Sequence, residues 1–463
     1  MIHPRPRWTE SRLLVLAGLT LTVGWLSLRE GARSRVGSAP DTLVDPTPLV
    51  VFLGCLVVVH LALVLAGRRT DQVLLPTMAI LAGIGLLLME RLPQGLVQQS
   101  IAGRTLGLAT MQMVWLGIAF AIVLGFAVFV RSDRWLRLYK YSWALAGIGL
   151  LLLVFVIGRD VNGARLVLQV GPVAGQPSEA LKVILVVFLA GYLSENRDLL
   201  AGQSMSLGPL RLPPVPYLLP MAVMWAIALG IVVMQRDLGA ALLFFAVFLL
   251  MLYVATARWS YVVLGMGLFV AGGALMYQLF DHVRTRVDIW INPFVDASGS
   301  GYQVVQALYA FGRGGILGTG LGAGLPMVGG RLPIPALHTD FPLAALGEEL
   351  GLIGILAILG LYLVLVERGL RIAAASLDEF RALLATGLSL VIGGQALIIA
   401  AGNLKLVPLT GITLPFISYG GSSMLTNAVV VGLLLVLSDR GVEPPPPPGR
   451  ARRGLAWLPG RRD

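Results

Sequence analysis

The sequence contains little charge and almost no cysteine. Only 13% of its 463 residues are charged, whereas 57% are hydrophobic, and the mean hydropathy is +0.83. Soluble domains carry about 25% charged residues. The composition therefore excludes an ordinary soluble protein and predicts a polytopic membrane protein. The single cysteine, Cys55, lies in an apolar run and excludes an intramolecular disulfide.

Signatures of metal and nucleotide binding are also missing. The four histidines are scattered without the spacing of metal ligands, and His60 is best interpreted as a hydrogen-bonded core residue. The glycine-rich run FGRGGILGTGLGAGLPMVGG (311–330) lacks the GK[ST] sequence of a phosphate-binding loop. We interpret this run as a flexible lid or as a loop lying along the membrane surface.

Long apolar runs, in contrast, are abundant. A helix that crosses a membrane needs about 20 mostly apolar residues. Candidate spans lie at about 13–28, 48–66, 71–89, 106–130, 142–157, 180–193, 216–234, 238–257, 260–280, 343–366, 381–401 and 413–437. The predicted fold class is an all-α polytopic membrane protein with about twelve transmembrane helices and a large extracytoplasmic loop at 281–340.

The net charge of the protein is +11, as expected for a membrane protein whose cytoplasmic loops are rich in Lys and Arg. We therefore predict no nucleic-acid binding. An N-terminus inside the cell puts most basic residues on the cytoplasmic side, including the loop 131–140 and the Pro/Arg-rich tail 441–463, which we expect to be disordered. Four polar segments then share the extracytoplasmic face: 159–179, 234–239, 281–340 and 401–411. A site assembled from them would lie outside the cell.

Ionisable residues in the first two of these segments allow structural and functional interpretations. Glu179 and Lys182 are three residues apart on one helical face, which suits a structural ion pair or a pair facing the substrate. Asp237 follows a tight reversal and could cap the next helix or belong to the site. Arg165 would be an ordinary solvated charge unless the substrate is anionic.

The segment HTDFPLAALGEELG (338–351) brings four further ionisable residues to the mouth of an apolar run. Asp340 could cap the helix that follows, and it could also face a cavity as a catalytic group. His338 is a second candidate for the site. We expect at least one of Glu348 and Glu349 to be structural, paired with a buried cation or polar group.

Taken in order, these segments resemble one family. NGAR, GPVAGQPSEALK, QRDLG, GSGYQVVQAL, HTDFPLAALGEELGLIG and PLTGITLPFISYGGSS follow the order seen in SEDS proteins, the group that contains RodA, FtsW and SpoVE. The resemblance spans roughly residues 71–438 and departs from the usual Q-P-D-L-G at Arg236. The family core has ten spans, so residues 1–70 would add two N-terminal helices to a core at 71–440. These features are most similar to RodA-type members from high-GC bacteria.

The resemblance implies a peptidoglycan glycosyltransferase. SEDS proteins polymerise lipid II, a disaccharide-peptide on undecaprenyl pyrophosphate, at the outer face of the cytoplasmic membrane, together with a class B penicillin-binding protein. The family motif makes Asp340 the expected catalytic residue. The expected substrate-binding residues are Arg165, Glu179, Lys182, Asp237 and His338. A divalent cation, Mg or Mn, could screen the pyrophosphate, although the sequence contains no ligand cluster for one.

Two other functions remain open at this stage. A lipid II flippase would distribute charged groups along a path through the membrane. A non-enzymatic scaffold of the cell-wall machinery would tolerate substitutions at Asp340 and Lys182. The candidate residues cluster at the outer ends of the predicted spans, and this distribution favours chemistry at the surface.

Overall fold

Long helices form most of the fold in the computed structural model. It describes residues 5–36, 45–97, 99–101, 104–161, 164–170, 173–202, 205–207, 210–212, 215–324 and 332–439. The predicted tail at 441–463 lies outside these residues.

The helices are α1 (Trp8–Val36), α2 (Thr47–Ala66), α3 (Leu74–Arg91), α4 (Leu108–Phe129), α5 (Arg134–Leu138), α6 (Lys140–Ile157), α7 (Pro177–Gly202), α8 (Val215–Met234), α9 (Leu238–Thr256), α10 (Trp259–Leu279), α11 (Asp281–Ile291), α12 (Tyr302–Gly314), α13 (Pro342–Ala375), α14 (Glu379–Asn403) and α15 (Gly421–Ser438). Within the described ranges, 11 helices are long and apolar enough to cross a membrane, and α8 adds the shorter apolar stretch Met221–Met234. Each predicted span corresponds to one of these helices, so the prediction of an all-α, multi-pass membrane fold is confirmed.

Short antiparallel strands join some of the helices. They are β1 (Gln99–Ile101) with β2 (Arg104–Leu106), β3 (Arg159–Val161) with β4 (Ala164–Val170) and β5 (Val173–Gly175), and β6 (Met205–Leu207) with β7 (Leu210–Leu212). The three-stranded sheet ends next to α7, and its antiparallel strands fold the described part of the segment 159–179 back on itself.

The centre of the bundle is formed by α3, α7, α14 and α15, which are mostly buried, whereas α10 is almost wholly exposed. The α13 helix packs on α14, and α4 packs on α15 and α2. In a bilayer, exposed apolar helix faces contact lipid, and the helical backbone satisfies its own hydrogen bonds. The buried helices therefore determine where polar side chains can be enclosed.

The first two helices are attached to this core at their apolar faces. Leu21 and Leu28 of α1 are buried, and α1 packs on α3. His60 of α2 lies 2.6 Å through Nδ1 from Oε1 of Glu10 and 3.0 Å through Nε2 from Oγ of Ser11. The interpretation of His60 as a hydrogen-bonded residue is confirmed.

The tenth predicted span, 343–366, is wrong in one respect, because α13 is interrupted. Gly351 has φ 66° and ψ −168°, a conformation that only glycine adopts without strain. The amides of Leu352 and Ile353 consequently donate to the carbonyls of Gly315 and Ile316, at 3.0 and 3.2 Å. The helix resumes after the break and continues to Ala375.

The glycine-rich run fills this break from the side. The amides of Thr319 and Gly320 donate to the carbonyls of Glu348 and Glu349, at 3.0 and 2.9 Å. Backbone that leaves a helix at membrane depth needs such partners inside the protein. A flexible lid is therefore the wrong description of residues 311–324, whereas a position along the membrane surface stays a prediction. Residues 325–331 lie outside the described part.

The last predicted span, 413–437, begins too early. Residues 413–420 form turns, and α15 starts at Gly421. Phe416 has a positive φ of 66°, and Ser418 Oγ accepts a hydrogen bond from the amide of Leu414 at 2.8 Å. The segment is apolar because it is buried against the bundle. In the sequence, its apolar residues are therefore indistinguishable from the first turns of a membrane helix.

Candidate functional site

Segments that are far apart in the sequence meet at the end of the bundle where α7, α9, α13 and α15 begin. Asn403 Nδ2 donates to the Asp340 carbonyl at 2.8 Å, and Trp290 Nε1 donates to the Lys405 carbonyl at 3.2 Å. The polar segments that the sequence places on one face are thus brought together here.

Glu179 and Lys182 form a buried ion pair at the start of α7. Lys182 Nζ lies 2.5 Å from Glu179 Oε2 and also donates to Oε1 of Gln395 at 2.8 Å. Their spacing puts both on one face of the helix, as predicted. The ion pair is confirmed, and whether it contacts the substrate stays a prediction.

Asp237 connects the start of α9 to the start of α7. Its Oδ1 accepts from the amide of Ala240 at 3.0 Å, so the predicted helix cap is confirmed. Its Oδ2 accepts from Ser178 Oγ at 3.0 Å and from Gln176 Nε2 at 3.1 Å. Asp237 is therefore both a cap and a buried neighbour of Glu179.

These side chains line a small pocket, which we call the Lys182 pocket. It is lined by Gln176, Ser178, Glu179, Lys182, Asp237, Ala240, Leu243, Gly411, Ile412 and Thr413. Its polar side comes from α7 and the Asp237 turn, and its other side from the backbone turn that follows α14.

Asp340 adjoins this pocket at Gly411. A Cβ atom on Gly411 would lie 3.9 Å from Oδ2 of Asp340, and Gly411 has a φ of 71° that favours glycine. The α13 helix is capped by Phe341 without a side-chain hydrogen bond, so the prediction that Asp340 caps it is wrong. The carboxylate therefore makes no capping bond to the first turn of the helix.

The backbone around Asp340 is held by the turns before α15. Ser418 Oγ donates to the Thr339 carbonyl at 2.6 Å, and the Tyr419 amide donates to the His338 carbonyl at 2.8 Å. The His338 ring packs beside Tyr419, with 6.0 Å between ring centroids. His338 therefore lies in the Asp340 turn, and a role in substrate binding stays a prediction.

Arg165 lies in β4, opposite Asp160 in the strand register. Its side chain is outside the described part of the structure, so its predicted role in substrate binding stays a prediction.

Arg286 of α11 is a site residue that sequence reasoning missed. Its Nη1 donates to the carbonyls of Leu409 and Thr410, both at 3.1 Å, and its charge acts on both Asp237 and Asp340. No motif or spacing distinguishes it from the neighbouring Arg284. Its only sequence signal is its place in the long loop 281–340.

Burial dominates the electrostatics of both carboxyl groups. It raises the pKa of Asp340, while Thr339 and the charge of Arg286 act in the opposite direction. Burial also raises the pKa of Asp237, opposed by its hydrogen bonds from Ala240 and Ser178. Removing a carboxylate from water disfavours its charged form, which makes it a stronger base.

Glu348 and Glu349 are both structural in this arrangement. Glu348 Oε1 lies 3.0 Å from Arg313 Nε, and Glu349 Oε1 lies 2.8 Å from Arg91 Nη1. The prediction that at least one pairs with a cation is confirmed. These pairs keep two carboxylates at the break of α13 compensated.

A metal ion finds no ligand set among the described residues. No group of three or more His, Cys, Asp or Glu side chains in those ranges could hold one. Asp340 can act as a base, and Lys182 and Arg286 supply positive charge on either side of the turn at Gly411.

Comparison with known proteins identifies the family. The model of a family of cell cycle proteins named for FtsW, RodA and SpoVE matches residues 71–441. The peptidoglycan glycosyltransferase RodA of Mycobacterium tuberculosis is 41% identical over 391 residues, which are 83% of this chain and 81% of that protein. A probable peptidoglycan glycosyltransferase FtsW of Halomonas elongata is 40% identical over 296 residues, 63% of this chain and 71% of that protein.

A solved structure shares the fold as well. A chain from a peptidoglycan synthase complex, described as coordinating polymerization and crosslinking, superposes with a TM-score of 0.63 at 27% identity. The match covers 80% of this chain and 98% of that one. The chain therefore belongs to the FtsW/RodA/SpoVE family, the family that its ordered motifs resemble.

Proposed function

We propose that this protein is a RodA-like peptidoglycan polymerase that transfers disaccharide-peptide units between lipid II molecules and releases undecaprenyl pyrophosphate. The observation that carries the proposal is the position of Asp340, whose carboxylate lies at Gly411 on the edge of the Lys182 pocket. The names of the similar RodA and FtsW proteins support the same activity.

The leaving group explains why one carboxylate suffices. Glycoside hydrolases commonly use two carboxyl groups, one of which protonates a poor leaving group. A pyrophosphate departs without being protonated, so the site needs one base and a cationic environment for the developing charge. Asp340 provides the base, and Lys182 with Arg286 provides the cations.

In the reaction, Asp340 accepts the proton of the acceptor sugar hydroxyl. The hydroxyl oxygen forms a bond to the anomeric carbon of the donor, and the bond from that carbon to the pyrophosphate breaks with its electron pair leaving on the phosphate. Attack occurs opposite the leaving group and inverts the anomeric centre. The raised pKa of Asp340 supports this role, because a carboxylate removed from water is a stronger base.

We propose that this site lies at the outer face of the cytoplasmic membrane, with both termini inside. The basic loop 131–140 at the opposite end of the bundle supports this orientation. We also propose a class B penicillin-binding protein as the partner that cross-links the product. The fold shared with a chain of a peptidoglycan synthase complex supports such a partner.

Polymerase, flippase and scaffold can be separated in one experiment. Purified protein is reconstituted into liposomes that contain lipid II, and glycan chains are resolved on gels while lipid II translocation is followed with a membrane-impermeant reagent. A polymerase gives chains that disappear in Asp340→Asn. Translocation without chains would instead establish a flippase. Glycan chains that form only when a partner with its own glycosyltransferase is added would indicate a non-enzymatic scaffold.

A further inference from the structure

The inner face of α1 has a regular seam that ends in glycine. Ala17, Leu21, Gly24, Leu28 and Gly31 recur at spacings of four and three, as in a coiled-coil seam. The first half of the seam packs on α3, where a Cβ on Gly24 would lie 3.1 Å from Leu87. The glycines let a neighbouring backbone approach α1 closely.

That neighbour is the glycine-rich run in the break of α13. A Cβ on Gly31 would lie only 2.8 Å from the Leu321 carbonyl oxygen and 2.9 Å from Cα of Gly322. From the other side, a Cβ on Gly322 would lie 3.0 Å from the Leu28 carbonyl oxygen. Glycine is thus required at both Gly31 and Gly322, and α1 covers the side of the run that faces away from α13.

The covered run holds Glu349 through two backbone amides. Gly322 N donates to Glu349 Oε2 at 3.1 Å, and Gly320 N donates to its carbonyl at 2.9 Å. Arg91 bridges the same parts, since it contacts Glu349 Oε1 at 2.8 Å and donates to the Gly324 carbonyl at 2.8 Å. Glu349 ends the first half of α13, and Asp340 precedes the start of that half-helix.

We propose that α1 is a positioning element for Asp340: its Gly31 surface keeps residues 319–322 seated in the break of α13 and so fixes the half-helix that begins beside the base. The inference rests on the proposed function and gives the N-terminal helix a role in it. The α1 helix contacts no substrate in this scheme. The run supports the half-helix at its break at Gly351, and α1 covers the run.

The test compares two glycines of α1. Gly31→Ala places a methyl group against rigid backbone, whereas a Cβ on Gly18 would meet only Leu53 at an ordinary 3.6 Å. Gly18→Ala is therefore the matched control, with the same change in helix propensity. Leu321→Ala is a second variant that loosens the run without a clash. Initial rates of lipid II polymerisation are measured across pH in purified full-length protein.

We expect Gly31→Ala and Leu321→Ala to lower the rate at the optimum by about threefold to tenfold, because small displacements of a catalytic group are costly. Water reaching Asp340 would lower its pKa, so the acid limb should move to lower pH by about half a unit. All variants keep the ionisable groups of the site: Arg286, Asp237, His338, Glu179 and Lys182. Gly18→Ala should keep the acid limb of the pH–rate profile at its wild-type position.

A merely structural role for α1 gives a different result. Loss of folded protein scales the whole pH profile without moving its acid limb, and that outcome in both variants would overturn the inference. Wild-type rates in both would overturn it as well. Should wild-type protein form no glycan chains, the proposed polymerase activity itself fails, and this is seen independently of the variants.

Discussion

The charge of Arg286 acts on the carboxylate of Asp340, although one residue belongs to α11 and the other to the turn before α13. Arg286 is held in place by the carbonyls of Leu409 and Thr410. It thus joins the long loop, the turn after α14 and the proposed base. A fixed cation at this position lowers the pKa of the base and can also face a developing phosphate charge.

The pH profile should report this relationship. A base works deprotonated, so the rate persists above the pKa of Asp340 and is lost as the pH falls through it. Burial raises that pKa above the ordinary value of the side chain, and Arg286 lowers it. Arg286→Gln should therefore move the acid limb to higher pH. Arg284→Gln removes the same charge from a more exposed position on α11 and serves as the control; equal shifts in both variants would contradict the assignment.

Removing the carboxylate at residue 340 should abolish activity and preserve the fold. General bases typically contribute about 10²–10⁴-fold to a rate, so Asp340→Asn should polymerise lipid II slower by that factor. Because α13 is capped without the Asp340 side chain, the thermal unfolding midpoint in detergent should stay unchanged. Wild-type polymerisation by Asp340→Asn would refute the proposed mechanism.

The Glu179–Lys182 pair separates stability from function. Lys182→Met leaves a buried carboxylate unpaired, and breaking a buried pair in this way costs about 3–5 kcal/mol. The double variant Glu179→Gln with Lys182→Met should regain most of the thermal stability without regaining polymerisation. Lys140→Met is the control, because its partner Glu195 is 40% exposed and can be solvated. A double variant with wild-type activity would make the pair purely structural.

The break in α13 predicts a sharp contrast between two glycines of the same helix. Gly351→Ala forces a Cβ to within 2.3 Å of the Gly318 amide at a φ of 66°, and should unfold the protein or lower its stability by more than about 3 kcal/mol. Gly360 has open space around it, so Gly360→Ala should stabilise the helix by about 0.5–1 kcal/mol. Thermal unfolding in detergent measures both. Similar midpoints would show that α13 is continuous.

Features that depend on local spacing were predictable. The apolar runs specify the membrane helices because backbone groups in lipid must be satisfied within each segment. Three-residue spacing gave the Glu179–Lys182 pair, and the position of Asp237 after a reversal gave its cap. The ordered motifs also indicated the family without any contact between them.

Features that depend on contacts between distant segments were not predictable from the sequence. Whether Asp340 caps α13 depends on where the helix begins, and it begins at Pro342 with Phe341 as the cap residue. The role of Arg286 depends on two carbonyls after α14. The glycine-rich run resembles a free loop in the sequence because glycines and other small residues do not indicate which backbone they will contact.

The sequence by itself determined the membrane class and the order of the helices, since each follows from composition or from spacing along one helix. Only the tertiary structure decided that α13 is broken at Gly351, that residues 315–320 fill the break, and that Asp340 adjoins Gly411. The physical reason is that a backbone hydrogen bond has no side-chain signature, so the partner that replaces a lost helical bond is fixed by packing in three dimensions.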